Sequence, residues 1–282
     1  MLSLKVRNKY GEELELTGDP AYVLTSVDGI DPPDAVINHT HNAGTDGSVF
    51  NSSYMSTRTI TFTLAINYPA EENRLKLYRY LKTKDPVRVT VETELRGVYI
   101  DGYVQALQIG YFDKKQVAQV TIFCPQPHFN GLDIQVQPFS TVQSAFEFEF
   151  DIEEAGIPFS EIVLDLEKAI INHGDLETGA LITIYATGPL KNPKIYNVSS
   201  DEHMIFEVDM DDGDELIINT RLGEKSIKLI SQGTTTSMIG ALQRGSTWFS
   251  MAAGDNVFTV TADENPQNMI VEFECIDQYE GV

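Results

Sequence analysis

The chain has 282 residues, and its 42 Asp and Glu outnumber its 20 Lys and Arg to give a formal net charge of −22. Such a composition disfavours sequence-specific nucleic-acid binding and binding to an acidic membrane surface. The acidic residues are unevenly distributed along the chain. Residues 1–130 include 13 basic and 15 acidic residues, whereas residues 131–282 include 7 basic and 27 acidic residues. The net charges of −2 and −20 predict two domains, 1–130 and 131–282.

Alternating apolar residues predict β-strands through the first part of the chain. The stretch SLKVRNKYGEELEL predicts a hairpin that turns at Gly11, and Pro32-Pro33 separates it and a further strand from AVINHT at 35–40. The inward-facing positions predicted for the first hairpin and for the strand TITFTLAI are Leu4, Val6, Leu14, Leu16, Ile60, Phe62, Leu64 and Ile66.

Residues 68–85, YPAEENRLKLYRYLKTKD, predict the one helix of this half. Acidic residues lie in its first turn and lysines lie in its last turn, as the helix dipole favours. Leu75, Tyr78 and Leu81, with Leu77 beside them, form an apolar stripe that is expected to pack on a sheet. Three strands of an antiparallel meander follow, and Gly102 within the middle strand indicates a bulge or a close backbone approach.

The segment CPQPHFNG at 124–131 predicts the domain boundary, because its prolines and glycine end a strand and stiffen the connection. Many short strands separated by Gly, Asp or Asn turns follow, and they predict a β-sandwich or jelly roll. One of them is FEFEFDI, with Phe146, Phe148, Phe150 and Ile152 on one face.

No catalytic set or cofactor motif is found in the sequence, so no catalytic or metal-binding residue and no cofactor is predicted. His39 and His41 with Asp46 lack the third histidine or cysteine that zinc binding needs. The acidic run DMDDGDE at 209–215 misses the spacing of an EF-hand loop and is better read as a turn, although a calcium site of another kind stays open. Cys124 and Cys275 are expected to be reduced thiols in the core.

Two aromatic residues, Trp248 and Phe249, offer an alternative function. They could form a platform on which a sugar ring stacks, although a single tryptophan on a strand more often belongs to the core.

Three stretches together resemble the distal tail protein family of long-tailed, non-contractile bacteriophages. The first is SVDGIDPPDAVINHTHNAGTDGSVFNSSYMSTRTITFTLAI, followed by EENRLKLYRYLKTKDPVRVTVET and then by GVYIDGYVQALQ with FDKKQVAQVTIFCPQPHF. The second half resembles the same family through INHGDLETGALITIYATG, DDGDELIINT and STWFSMAAGDNVFTV. The order and spacing of these segments carry the resemblance, because no single one is specific.

The resemblance implies a mainly-β protein, with an N-terminal β-sandwich that has one flanking helix and is related to tail-tube proteins. A galectin-like or jelly-roll sandwich would follow it. The first domain would close into a hexameric ring that joins the tail tube to the baseplate or tail-tip hub and lets DNA pass. The implied partners are further copies of the chain, the tail tube protein and the hub protein, in a virion assembled in the bacterial host cytoplasm. No enzymatic activity is implied.

A ring repeats one contact until it closes, so each subunit needs a surface that reaches its neighbour. Residues 42–57 are predicted to be a polar loop that serves as such an arm, with Phe50 and Tyr54 as apolar anchors and Arg58 near its base. A disordered surface loop is the alternative for this segment. Two other functions stay open for the chain, namely a carbohydrate-binding module acting through Trp248 and Phe249 and a polysaccharide hydrolase.

Overall fold

The computed structural model of the chain describes residues 2–111, 115–143, 161–164 and 167–282. The chain forms two compact units: unit 1 contains Met1–Leu132 and Gln278–Val282, and unit 2 contains Asp133–Asp277. The predicted strand with Phe146, Phe148, Phe150 and Ile152 lies outside the described residues.

Both units consist almost entirely of β-strands. Unit 1 contains β1 (Ser3–Asn8), β2 (Glu13–Glu15), β3 (Tyr22–Asp28), β4 (Ala35–Thr40), β5 (Val49–Met55), β6 (Arg58–Ile66), α1 (Ala70–Tyr80), β7 (Pro86–Glu92), β8 (Gly97–Gly110) and β9 (Val117–Cys124). Strand β10 (Phe129–Pro138) then runs from unit 1 into unit 2.

Unit 2 contains β11 (Ser140–Gln143), β12 (Glu161–Leu164), β13 (Glu167–Asn172), β14 (Ala180–Ala186), β15 (Leu190–Asn197), β16 (Glu202–Ile205), β17 (Asp209–Met210), β18 (Glu215–Asn219), β19 (Ser226–Ser231), β20 (Thr234–Ser237) and β21 (Gly254–Glu264). Strand β22 (Met269–Tyr279) returns from unit 2 to unit 1. The predicted mainly-β fold with one helix is confirmed in the described part of the chain.

Unit 1 is a β-sandwich whose two layers share strand β8. The first half of β8 pairs with β7, and this layer continues through β1 to β2. The second half pairs with β9, and that layer continues through β6 to β3. A register shift between Val104 and Ala106 lies between the halves, as expected where one strand turns a corner from one sheet to another.

The core of unit 1 confirms the inward faces predicted from alternation. Residues of both layers form one buried apolar cluster. The predicted inward residues Leu4, Val6, Leu14, Leu16, Ile60, Phe62, Leu64 and Ile66 are all buried in it. Gly102 also meets its prediction, because a Cβ there would lie 2.7 Å from the carbonyl oxygen of Phe123 and 2.9 Å from Cys124 Sγ.

Helix α1 is shorter than predicted and presents a different face to the core. It ends at Tyr80, so the lysines expected in its last turn lie beyond it. Leu77 and Leu81, four residues apart, are buried, whereas Leu75 is 55% exposed and does not belong to the buried stripe. The prediction was therefore wrong for Leu75, and the buried pair is Leu77 and Leu81, which lie on the same face because they are four residues apart.

Two sheets of unit 2 surround a second core, and β11 pairs with β12 in a separate two-stranded sheet. One sheet has the order β22–β14–β18–β19–β20, and the other has the order β13–β21–β15–β16 with β17 also pairing with β15. Four phenylalanine rings form a continuous row through the core, with centroid distances of 5.0 Å for Phe139–Phe273, 4.9 Å for Phe258–Phe273 and 5.3 Å for Phe249–Phe258.

The acidic run at 209–215 forms the turn between β17 and β18. The carboxylate of Asp214 accepts a hydrogen bond from the backbone N–H of Asp211 at 2.9 Å, and Asp214 is buried. Gly213 adopts a φ of +85°, which this tight turn requires and which glycine allows without strain.

Candidate interaction site

Strands β4 and β5 form a hairpin that stands apart from the two layers of unit 1. They pair antiparallel from Ala35↔Met55 to Thr40↔Val49, and within the described residues neither pairs with another strand. The segment 42–57 was predicted as a polar loop, and the structure corrects this, because Val49–Met55 is a β-strand. The tip between the strands contains Gly44 and Gly47, both with positive φ.

The hairpin exposes large apolar side chains on both of its faces. Every residue of β4 is exposed, as is every residue of β5 except Met55. The large hydrophobic residues in it are between 37% and 63% exposed, and they are Val36, Ile37, Val49, Phe50 and Tyr54. A two-stranded hairpin without a core is marginally stable in water, so this one is suited to packing against another surface.

Polar side chains hold the hairpin together internally. Asn38 Nδ2 donates to Ser52 Oγ at 3.0 Å. A register shift follows at His39, and there Asn51 Nδ2 donates to Thr40 Oγ1 at 2.7 Å. These bonds satisfy polar groups within the hairpin, so its apolar side chains remain the groups that gain from a partner.

The two histidines of the hairpin lie edge to face, with ring centroids 5.1 Å apart. His41 Nδ1 is 3.2 Å from the carbonyl oxygen of Gly47. Across the residues that the structure describes, no group of three or more His, Cys, Asp or Glu is placed to hold a metal ion.

Arg58 lies at the root of the hairpin, immediately after its second strand, and only 3% of it is exposed. Its Nη1 donates to the carbonyl oxygens of Gly29 at 2.6 Å and Asp31 at 2.8 Å, which lie just before the first hairpin strand. Its Nε donates to the Pro127 carbonyl at 2.5 Å. Arg58 therefore joins the chain entering the hairpin to the chain leaving it.

Arg58 was predicted as an interface residue near the base of the arm, and the structure places it at that base but inside unit 1. The guanidinium carbon lies 4.6 Å from the centre of the Phe129 ring. Burial lowers the pKa of Arg58 from its usual value, and nearby negative groups oppose that shift. Because its side chain is enclosed, Arg58 can support the hairpin but cannot offer its guanidinium to a neighbouring molecule.

A segment far along the chain also reaches this root. Arg58 Nη2 donates to the carbonyl oxygen of Glu280 at 2.5 Å, and Val282 N donates to the carbonyl oxygen of Ile30 at 3.2 Å. Arg96 Nη1 donates to the carbonyl oxygen of Gly281 at 2.8 Å, and its guanidinium lies 4.2 Å from the Tyr279 ring centre.

The structure places Trp248 and Phe249 in different surroundings. Phe249 is 2% exposed and belongs to the row of phenylalanines in the core, so it is not placed to contact a glycan. Trp248 is half-buried against the same core, and Lys225 Nζ lies 5.7 Å from its ring centre. A sugar contact by this pair would therefore depend on Trp248 alone.

Sequence reasoning missed Ile37 and Val49 as exposed apolar residues, and it missed Gln278–Val282 as a part of the root. Apolar residues on both faces of AVINHT and VFNSSYM were the available signal for the hairpin, since a strand that covers a core has one apolar face. No local pattern marks the segment 278–282, because its contacts are made with residues far away in sequence.

The comparisons with known proteins agree on one kind of protein. The family model for the C-terminal domain of the siphovirus-type tail component, SPP1 Dit, matches residues 173–275. The whole fold resembles the crystal structure of the Dit protein of phage SPP1, described as a paradigm of the hub adsorption apparatus of phages that infect Gram-positive bacteria. The TM-score is 0.68, with 12% identity over 98% of each chain.

Two baseplate structures are also similar. A chain of the phage P2 baseplate in its activated conformation with Ca gives a TM-score of 0.55 at 12% identity over 100% of both chains. A chain of the same baseplate with Sr gives 0.50 at 11% identity, again over 100% of both chains. No curated protein sequence matches the chain.

The match within unit 2 and the fold of the chain are similar to those of structural components of bacteriophage tails and baseplates. The resemblance to the distal tail protein is confirmed by that domain match together with the likeness over the whole length of the chain. The α-helix of the described residues is neither long nor apolar enough to cross a membrane.

Proposed function

We propose that six copies of this chain form a ring that joins the distal end of the tail tube to the baseplate or tail-tip hub. Unit 1 supplies the ring contact, and its β4–β5 hairpin is the arm that reaches the neighbouring copy. The role is structural, so it requires no catalytic residue and no cofactor. The ring is part of the virion, and its subunits are made in the cytoplasm of the bacterial host.

The observation that carries this proposal is the exposure of the hairpin. Five large apolar side chains, with Phe50 at 63% and Ile37 at 59% the most exposed of them, stand on two strands that have no core of their own. Burial of apolar surface stabilises by about 25 cal/mol per Å². The surface that these side chains leave exposed in their own copy gains that stabilisation when the hairpin packs on the next copy.

A ring also explains how one contact between copies can be repeated until the assembly closes. An arm that binds a different patch on its neighbour makes a heterologous contact, and such contacts either close into a ring or continue into a filament. A ring that connects a tube to a hub must close. The hub-apparatus and baseplate descriptions of the structurally similar proteins support that outcome for this chain.

Passage of DNA is supported by the charge of unit 1. On the layer β2–β1–β7–β8, paired positions form a cross-strand row of Glu13, Arg7, Arg88 and Asp101. Arg88 Nε donates to Asp101 Oδ1 at 2.7 Å and Nη2 to Oδ2 at 2.8 Å. Residues 1–130 have a net charge of only −2, so unit 1 has no excess of positive charge to hold the phosphate backbone.

The test is the oligomeric state of the full chain, measured by native mass spectrometry and negative-stain electron microscopy. The expected result is a six-membered ring with an open centre, formed alone at high concentration or on addition of the tail tube protein. A chain that stays monomeric under both conditions, or that assembles into a closed dimer, would overturn the proposal.

A further inference from the structure

The root of the hairpin is the place where four separate parts of unit 1 meet. Arg58 donates four hydrogen bonds to backbone carbonyl oxygens. Two of these carbonyls lie in the β3–β4 connection, one lies in the β9–β10 connection and one belongs to Glu280. The guanidinium has five N–H donors in a fixed plane. Few other side chains could hold so many backbone groups in one geometry.

The segment Gln278–Val282, here called the latch, supplies a part of this root that the rest of unit 1 cannot replace. It contributes the Glu280 carbonyl to Arg58, and Val282 N donates directly to Ile30, within the connection that leads into the hairpin. Tyr279 and Val282 pack against the core of unit 1, and Gln278 Nε2 donates to Asn130 Oδ1 at 3.2 Å.

The latch also lies close to Pro32, the first of the two prolines that precede the hairpin. Gly281 is buried, and a Cβ on it would lie 2.9 Å from Pro32 Cδ and 3.0 Å from Pro32 N. Proline has a fixed φ, so a chain segment built on Pro32 and Pro33 transmits a displacement at its start to the strand that follows. That strand is β4, which begins at Ala35.

We propose that the latch is a positioning element that fixes the direction in which the β4–β5 hairpin leaves unit 1. The latch continues β22, a strand whose other residues belong to unit 2, so the hairpin root is complete only when residues 133–277 have folded and returned the chain to unit 1. The direction of the arm in each copy is therefore fixed by a segment that follows unit 2 in the chain. This inference rests on the proposed function only for the claim that the hairpin binds a neighbour.

The test replaces Gly281 by leucine in the full chain, which places a side chain where Pro32 already lies. Hydrogen exchange is measured in monomeric protein for residues 28–34 and 56–60. We expect the Gly281→Leu variant to exchange about tenfold faster at both stretches, because loss of the latch lets the root open locally. Gly240→Leu is the matched control, since a Cβ at Gly240 meets no atom within 4 Å.

A second variant distinguishes loss of the latch from a general folding defect. Arg96→Gln removes the donor to the Gly281 carbonyl and the cation that faces Tyr279, without adding bulk near Pro32. It should also speed exchange at the root, while exchange in the core strand β14 of unit 2 stays unchanged.

The outcomes separate the two proposals. Unchanged exchange at 28–34 and 56–60 in both variants overturns the latch, whether or not the wild-type chain forms rings. Faster exchange there supports the latch even if the wild-type chain proves monomeric. In that case only the proposed ring is overturned. If the wild-type chain forms rings, the Gly281→Leu chain should form at least about tenfold fewer at equal concentration, as expected when a binding-competent arm is only partly populated.

Discussion

The central carbon of the Arg58 guanidinium lies over the Phe129 ring, 4.6 Å from the ring centre. Phe129 is fully buried, so the cation is enclosed on that side by an aromatic face and elsewhere by backbone carbonyls. A buried charge is tolerated when it is fully hydrogen-bonded, and four of the five N–H donors of Arg58 have partners.

Replacement of Arg58 by methionine should destabilise unit 1 strongly. The variant keeps the length of the side chain but leaves four carbonyl oxygens without the donors that Arg58 supplies. A buried acceptor that loses its donor typically costs about 1–3 kcal/mol. Urea unfolding of the full chain measures this loss, and a change below about 1 kcal/mol would contradict the role given to Arg58. Arg58→Lys should recover little, because an ammonium cannot reproduce the planar fork.

Replacement of Phe50 and Tyr54 by aspartate should leave the monomer folded but prevent ring assembly. Both side chains are more than half exposed, so the free energy of unfolding should change by no more than about 0.5 kcal/mol. Placing two carboxylates in an apolar contact should remove detectable rings in native mass spectrometry.

The control for the hairpin variant is Leu222→Asp, because Leu222 is 83% exposed in a turn of unit 2. This variant should assemble as the wild type does. Rings that survive the Phe50 and Tyr54 replacements would show that the hairpin is not the arm.

Replacement of Gly29 by alanine should cost far more than the same change at Gly11. Both glycines have positive φ, of +85° and +82°, so each substitution carries a backbone cost of about 1–2 kcal/mol. A Cβ at Gly29 would also lie 2.1 Å from the carbonyl oxygen of Thr59, whereas a Cβ at Gly11 meets nothing within 4 Å. Thermal unfolding of the two variants should show this difference, and equal losses would argue against it.

The two buried cysteines should make the protein less stable at alkaline pH. Burial raises the pKa of Cys124 and of Cys275 to about 12, from the ordinary thiol value of 9.0. Between those values the unfolded chain loses the thiol protons and the folded chain keeps them. Stability is therefore unaffected below pH 9 and falls as the pH rises towards 12, by up to about 1.4 kcal/mol per pH unit for each thiol.

The measurement compares urea unfolding of the wild type with that of Cys124→Ala between about pH 8 and pH 11, because other groups titrate there too. The alanine variant should lose less stability over this range, even though it is less stable at pH 8. The same burial predicts that iodoacetamide modifies neither thiol in native protein at pH 8 until the chain unfolds. Rapid labelling of the folded chain would be inconsistent with it.

Ring formation should increase with ionic strength. Residues 131–282 carry a net charge of −20, so copies brought together in a ring repel one another. The Debye length shortens from about 10 Å at 0.1 M salt to about 3 Å at 1 M, which screens this repulsion. Analytical ultracentrifugation across that range should show a rising fraction of rings, and a falling fraction would indicate that attraction between charges holds the ring together.

Much of the fold could be predicted, because a strand that covers a core shows its buried face in the sequence. Val6 and Leu14 in the first hairpin, and Phe62 in β6, are buried as alternation requires. Helix α1 was placed correctly but its face was not, since Leu75 and Leu77 fit helical stripes equally well until the position of the sheet is known.

The site was less predictable, for three physical reasons. Strand β5 has no buried face, so the alternation that reveals a strand is missing there, and Phe50 was seen only as an aromatic residue in a polar loop. Arginine is rarely fully buried, so Arg58 was taken for a surface residue. The contact between Arg58 and Glu280 joins residues 222 positions apart, and nothing local to either indicates it.

The division of the chain makes residues 133–277 an insertion within unit 1, since the polypeptide leaves that unit after Leu132 and rejoins it at Gln278. A module placed in this way can be exchanged without changing the host fold, provided that the new sequence returns the chain to the position of Gln278. Under the proposed function, such an exchange would give each copy a different domain while unit 1 and its hairpin stay the same, and residues 278–282 would take their place only after the new domain had folded.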